Sequence, residues 1–251
     1  MPQIVSLYRY PVKGLSPEPL GNVRLSPGEA FPGDRAYAIA QGDALFDPAA
    51  PDYLPKTHFL MLMRNERLAT LRTRFDAARG ELSITAPDGS SVQGRLDRVE
   101  GRHAIVDFIA AFMPEDLRGM PHVVHADGHM FSDVPAKFVS LINVASCAAL
   151  EPLAGRPVDP LRFRANIYFD GLPAWEELDW NGRRLRIGTV ELEVTKRTQR
   201  CAATNVDPQS GVRDLNIPRL LHQNFGHADN GIYAKVLTGG EIRAGDSLGL
   251  A

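Results

Sequence analysis

The chain has 251 residues, with 28 basic and 30 acidic side chains, a net charge of −2 and two cysteines. Hydrophobic residues make up 44% and charged residues 23%, which excludes wholesale disorder and allows one large or two small domains. Two cysteines rule out a disulfide scaffold, a four-thiolate zinc site and an iron–sulfur cluster, and the near-neutral balance argues against a chain built to coat nucleic acid.

Met1–Tyr10, MPQIVSLYRY, shows no basic start followed by an apolar run, and no stretch of 18 apolar residues occurs anywhere. The expectation is a cytoplasmic chain without a membrane partner, with both cysteines reduced. The 22 glycines and 19 prolines exceed their combined share of roughly 12% in ordinary proteins, which favours many turns and short strands.

In chain order, Tyr10-Pro-Val-Lys13-Gly14-Leu15 ends a first strand, and Gly33-Asp34-Arg35 opens another at Tyr37-Ala-Ile39. Glu81–Gly94 alternates Leu82 and Ile84 on one face and turns at Pro87-Asp88-Gly89, which predicts a hairpin. His103–Met113 places Ile105, Phe108, Ile109 and Phe112 at helical spacing. Proline, glycine and charge cluster from Pro114 to His122, so the chain divides into a β-rich unit over 1–120 and a second over 121–251. Asn143–Leu153 starts with a capping residue and reads as a helix. Arg162-Phe-Arg164-Ala-Asn166 reads as a strand that presents both arginines and the amide on one face. Arg184–Thr195 repeats the hairpin form around Gly188-Thr189. Ile217–Phe225 is a helix with Pro218 in its first turn, and Ile232–Leu248 is a third hairpin around Gly239-Gly240. The fold class is mainly β with a few helices (α+β), closer to barrels than to a doubly wound sheet. Neither G-x-G-x-x-G after a strand nor G-x-x-x-x-G-K-[ST] is present.

Thr195–Asp214 is richest in chemistry. Cys201 follows a strand, beside Arg200 and near Lys196 and Arg197. A free thiol with pKa near 8.5 is only about 3% thiolate at neutral pH, and neighbouring cations raise that share. The same cations suit an anionic ligand, and a buried cysteine beside a solvated basic face fits the local sequence equally. Paired guanidinium groups at Arg162 and Arg164 suit phosphate or carboxylate, or else a solvent-facing strand edge. His122, His125 and His129 hint at a metal, but residues three apart on a strand point to opposite faces. His227 is a loop histidine that could pair with Cys201 only if folding brings them together. Cys147 lies on the apolar side of a helix and is expected to pack.

Taken together, these residues resemble the MOSC family of molybdenum-cofactor proteins, in the branch that sets an N-terminal β-barrel domain ahead of the MOSC domain and includes the amidoxime-reducing components. Tyr10-Pro-Val-Lys13 and Gly33-Asp34-Arg35 resemble the N-terminal domain. Arg162-Phe-Arg164-Ala-Asn166, Thr198-x-Arg200-Cys201, Thr204-Asn205-Val206-Asp207-Pro208 and Gly240-x-Ile242-x-x-Gly245-Asp246 resemble the MOSC domain. The resemblance implies that Cys201 is the catalytic residue and the protein ligand to molybdenum. It further implies that Lys13, Arg35, Arg164, Asn166 and Thr198 hold the phosphate and pterin of the cofactor, with Arg200, Asn205 and Asp207 in the same motifs. Asn143 and Ser146, at the start of the middle helix, would join them. Gly14 stands where relatives often carry serine. The implied activity is reduction of N-hydroxylated or related N–O compounds. Its electrons would come from a separate donor protein, because two cysteines cannot hold an iron–sulfur cluster. The alternatives are a sulfur carrier or cofactor-binding protein that uses Cys201 without small-molecule turnover, and a cysteine hydrolase built on Cys201 and His227.

Overall fold

The computed structural model describes residues 1–251 and is mainly β. The first seven strands are β1 (Gln3–Arg9), β2 (Glu18–Leu20), β3 (Asn22–Leu25), β4 (Tyr37–Ala40), β5 (Arg72–Asp76), β6 (Glu81–Thr85) and β7 (Ser91–Arg95). Helix α1 (Val99–Phe112) and strands β8 (His122–His125) and β9 (Val139–Asn143) follow. Two short helices, α2 (Val144–Ala148) and α3 (Glu151–Ala154), lead to β10 (Ile167–Asp170), β11 (Arg184–Ile187) and β12 (Val190–Gln199). Helix α4 (Ile217–Phe225) and strands β13 (Asp229–Thr238), β14 (Gly240–Arg243) and β15 (Leu248–Leu250) complete the chain.

One sheet has eight strands in the order β15-β11-β12-β13-β9-β10-β1-β2. Only β9 and β10 run parallel; the other pairs are antiparallel. The period-two apolar pattern explains its core. Leu185 and Ile187 on β11, Val190, Leu192 and Val194 on β12, and Ile232, Ala234 and Val236 on β13 all point into one buried cluster, with Ile4 and Leu7 of β1.

The N-terminal segment builds a second core. Strands β5, β6 and β7 form an antiparallel meander, and Ile105, Ile109 and Met113 pack from α1 and its C-terminal end against Leu82, Ile84, Leu68 and Leu71. The helix begins at Val99, four residues before the sequence reading, and Gly101 explains the difference. Glycine inside a periodic run argues against helix, yet here its missing side chain lets the first turn lie on β7. A Cβ at Gly101 would sit 2.2 Å from the Arg95 carbonyl oxygen, and one at Gly94 would sit 2.3 Å from that of Gly101. Gly101→Ala is therefore expected to destabilise the fold by about 1–3 kcal/mol through overpacking against backbone that cannot move aside. A urea unfolding midpoint unchanged by the substitution would contradict this packing.

Three expectations are corrected. The middle helix is two helices, because Pro152 cannot donate to the carbonyl of Ala148 and its ring crowds it. Ile232–Leu248 is not a hairpin: β14 pairs with β3, from Gly240 opposite Leu25 to Arg243 opposite Asn22. A single residue, Gly239, separates β13 from β14, too few for a two-residue turn. Arg162–Asn166 is not a strand either. Pro160–Phe163 is a 3₁₀ turn in which Asp159 accepts from the Leu161 amide, Arg164 is left-handed at φ 52°, and β10 starts only at Ile167. Asp-Pro is itself a helix-start signal, with proline tolerated in the first turn.

Pairing crosses position 120 repeatedly. β8 pairs with β4, β10 with β1, and β14 with β3. The site lies where these crossings bring the loops after β1 and before β4 against the ends of β12 and the 3₁₀ turn.

Candidate functional site

A cavity of about 510 Å³ collects Lys13 and Arg35 from the N-terminal half, Arg164 and Asn166 from the segment before β10, and Thr198, Arg200 and Cys201 from the end of β12. Seven of the sequence-predicted residues therefore share one cavity, and the strand order explains why. β12, β13 and β9 are neighbours, and β10 lies between β9 and β1, so both chain halves deliver loops to one end of the sheet.

Cys201 is partly exposed and starts the 3₁₀ turn Ala202–Asn205, where its carbonyl accepts from the Thr204 hydroxyl at 2.9 Å. Arg200 just before it is anchored to backbone: Nε donates to the Asn230 carbonyl at 2.6 Å and Nη1 to that of Phe163 at 2.8 Å. Its Nη2 is buried and has no partner. The Thr198 hydroxyl and Nη2 of Arg164 are likewise buried without partners.

Arg35 and Arg164 form a coupled pair. Both hold positive φ, 48° and 52°, and only one other non-glycine residue in the chain does so. Such backbone costs about 1–3 kcal/mol per residue and persists where the surroundings fix it. Both guanidinium groups lie over the Tyr10 ring, at 4.6 and 4.2 Å from its centre. Nη2 of Arg35 donates to the Arg164 carbonyl at 3.0 Å, while Nη1 pairs with buried Asp34. Arg164 has no carboxylate partner. Burial, reinforced by the charge of Arg35, pushes it down to about 10 despite the opposing effect of Tyr10. An arginine does not lose its proton at ordinary pH, so this strain describes a cation without a counter-charge.

Asp133 is the one carboxylate lining the cavity. It lies between two lysines: Lys13 donates to Oδ1 and also to the Phe131 carbonyl, and Lys56 lies 3.4 Å from Oδ2. Burial pushes the Asp133 carboxyl up, but Lys13, helped by Lys56, overrides it and holds the group at about 2. A pKa depressed in the fold stabilises above the unfolded value of about 3.9 and is lost as pH falls through about 2. The stability gap between wild type and Asp133→Asn should thus close between pH 4 and pH 2 in chemical denaturation. A gap constant over that window would dissolve the ion-pair assignment.

Other expected residues serve the scaffold. Asn166 lines the cavity, but its amide is engaged: Oδ1 accepts from the amide and hydroxyl of Ser140, and Nδ2 donates to the Tyr8 carbonyl. Asn143, Ser146, Asn205 and Asp207 lie outside the cavity lining. Asn143 caps α2 and donates to the Pro173 carbonyl at 2.9 Å. Ser146 donates to buried Glu177 at 2.9 Å. Asn205 accepts from the amide of Ile217, fixing the start of α4. Asp207 pairs with Arg162, which is buried and also meets Asp214. His227 accepts from the amide of Asp229 and does not line the cavity. Cys147 is fully buried, and burial pushes its thiol up, as for a packing residue. No group of His, Cys, Asp and Glu is placed to hold a metal ion on its own, and His125 instead stacks on Tyr37. Tyr10, Lys56 and Asp133 were missed as site residues. Tyr10-Pro was visible as a motif; for Lys56 and Asp133 no local pattern signals the role.

The family pattern described as the MOSC N-terminal beta barrel domain matches residues 1–113, and that of the MOSC domain matches residues 127–249. Over 120 residues the chain is 32% identical to mitochondrial amidoxime reducing component 2 of Bos taurus, covering 43% of this chain and 35% of that protein. Over 152 residues it is 28% identical to mitochondrial amidoxime-reducing component 1 of Homo sapiens, covering 52% and 43%. The matches thus span less than half the length of these relatives. Among solved structures, the YUAD protein of Bacillus subtilis is 14% identical with a TM-score of 0.46, covering 99% of this chain and 94% of that one. YiiM of Geobacillus stearothermophilus is 26% identical with a TM-score of 0.36, covering 45% and 53%. No helix is long and apolar enough to cross a membrane. With the two patterns occupying nearly the whole sequence, the chain belongs to the MOSC domain family and carries the family's N-terminal β-barrel domain ahead of its MOSC domain.

Proposed function

We propose that the cavity holds a molybdenum cofactor, with Cys201 as ligand to the metal, and that the protein reduces N-hydroxylated or related N–O compounds with electrons from a separate donor protein. The observation that carries this reading is the set of buried polar atoms without partners at Arg164, Thr198 and Arg200, in the same cavity as a thiol. A buried guanidinium or hydroxyl left unpaired costs free energy, and a phosphate-bearing pterin is a ligand that would satisfy all three. A soft thiolate beside them suits a thiophilic metal. The donor set fits the group.

Each residue then has a task. Arg164, backed by Arg35 on the Tyr10 ring, offers a planar fork to phosphate oxygens. Lys13 holds a second positive charge, which Asp133 shares until an anion arrives. Arg200 fixes the approach of Cys201 through its two backbone contacts. Asn166 ties β9 to β1 and so keeps the Arg164 turn in place. When bound, the cofactor would supply the two-electron redox chemistry. Reduction of an N–OH group takes two electrons and two protons, breaks the N–O bond and releases water. The names of the curated relatives support an N–O substrate for this chain.

The test is purification from a host that makes the cofactor, with molybdenum measured per chain and amidoxime reduction assayed with a chemical electron donor. Near-stoichiometric metal with turnover is the expected result. Metal without turnover of any N–O compound would leave a cofactor-binding protein, and a persulfide on Cys201 with no metal would leave a sulfur carrier.

A further inference from the structure

A second pocket of about 250 Å³ adjoins the first and has a different character. Its own apolar walls are Leu15, Ala69, Leu161, Val206 and Pro208, beside the polar Ser16, Arg72, Thr73, Asp159 and Gln209. Gly14, Leu62, Arg162, Arg164 and Ala203 line both spaces, so the two meet along one boundary two residues beyond Cys201.

Polar groups around the two spaces are disposed differently. Four residues that line the main cavity, Arg162, Arg164, Thr198 and Arg200, carry buried polar atoms without partners. Around the second, Ser16 and Asp159 are already engaged, while Arg72 and Gln209 stand exposed to solvent at its edge. Ser16 donates to the Leu71 carbonyl and accepts from the Thr73 amide, Asp159 accepts from the Leu161 amide, and Arg162 meets Asp207 and Asp214. Apart from Arg162 Nε and Arg164 Nη2 at the boundary and Arg72, Thr73 and Gln209 at the edge, the pocket offers shape and apolar surface. Its volume exceeds the roughly 150 Å³ that suffices to bind benzene in an apolar cavity. The apolar surface also runs through the boundary. Met61, Leu62 and Met63 are consecutive, all three line the main cavity, and Leu62 continues into the second. Unbranched thioethers adapt to ligands of varied outline.

We propose that the second pocket receives the uncharged aryl or branched-alkyl body of the substrate while its N–O group occupies the main cavity. This rests on the reading of the main cavity given above and narrows it. The preferred N–O compounds carry a ring or bulky apolar group, and small polar ones bind weakly.

The test compares benzamide oxime with acetamide oxime, which share the N–O group and differ in phenyl against methyl. Dissociation constants are measured by NMR titration of the full chain with methyl-labelled Leu, Val and Ala. Benzamide oxime is expected to bind about tenfold tighter, from the added apolar burial, and to shift the methyls of Leu161, Val206 and Ala69. Acetamide oxime should leave those methyls in place. Ala69→Phe fills the second pocket from a residue outside the main cavity, and Gln209→Trp does so from an exposed position should the first variant not fold. Either should reduce the preference to about twofold or less without weakening acetamide oxime. A preference that persists in the folded variants, or no preference in wild type, overturns the proposal. Ring-dependent shifts in a loaded protein that reduces neither compound would instead sink the reductase reading and leave the pocket assignment standing.

Discussion

Cys201→Ala, expressed in a host that makes molybdenum cofactor, is expected to retain at least about tenfold less molybdenum than wild type and to lose N–O reduction to background. The reasoning starts from what the substitution leaves intact. Cys201 is partly exposed, and its contact to the turn is made by its carbonyl, which alanine keeps. The cations that line the cavity remain, as does the Arg200 anchor. Phosphate-directed binding should therefore survive while the metal loses its only nearby thiolate. Cys147→Ala is the matched control. That thiol is fully buried beside Leu150 and Phe163 in a core cluster, so it should cost stability but not metal. Molybdenum per chain by elemental analysis separates the two variants. Equal metal in wild type and Cys201→Ala would remove the thiolate from the site.

Much of this site was legible because its cations and thiol sit in short motifs: Tyr10-Pro-Val-Lys13, Gly33-Asp34-Arg35 and Thr198-x-Arg200-Cys201. Motifs report which residues matter and say less about how each acts. Asn143 and Ser146 stood at a helix start, where an anion is a reasonable guest, yet α2 has only five residues and the side chain of Asn143 itself accepts from the Ala145 amide. Arg162 and Arg164 appeared equivalent under a two-residue period, and a 3₁₀ turn with one left-handed residue sends them to different duties. The role of Asp133 depends on lysines more than 70 residues away in sequence, and no local pattern carries that information. The hairpins at Glu81–Gly94 and Arg184–Thr195 were readable from alternation and turn residues alone. The pairing of β14 with β3 was not, because it joins the two ends of the chain.

Arg162 leads to the last prediction. Its side chain is 2% exposed and meets Asp207 at 3.0 Å, Asp214 at 2.8 Å and the Asn205 carbonyl at 3.2 Å. These contacts tie the turn that carries Arg164 to the loop that follows Cys201. Arg162→Met keeps apolar bulk but leaves Asp207 without a cation and Asp214 with only the half-exposed Arg156 at 3.3 Å. Removing one partner of a buried ion pair costs about 3–5 kcal/mol; both aspartates retain some exposure, which places the expected loss near the lower end. Arg162→Lys restores one charge without the planar fork, so it should recover only part of the stability. If Arg162 does position the two loops, the metal content of a folded Arg162→Lys protein should fall as well, since Arg164 and Cys201 would no longer hold a fixed separation. Guanidinium unfolding and elemental analysis on the same preparation check both effects. A Lys variant with lowered stability and full molybdenum would make Arg162 a purely structural pair, and a Met variant as stable as wild type would deny the network any role.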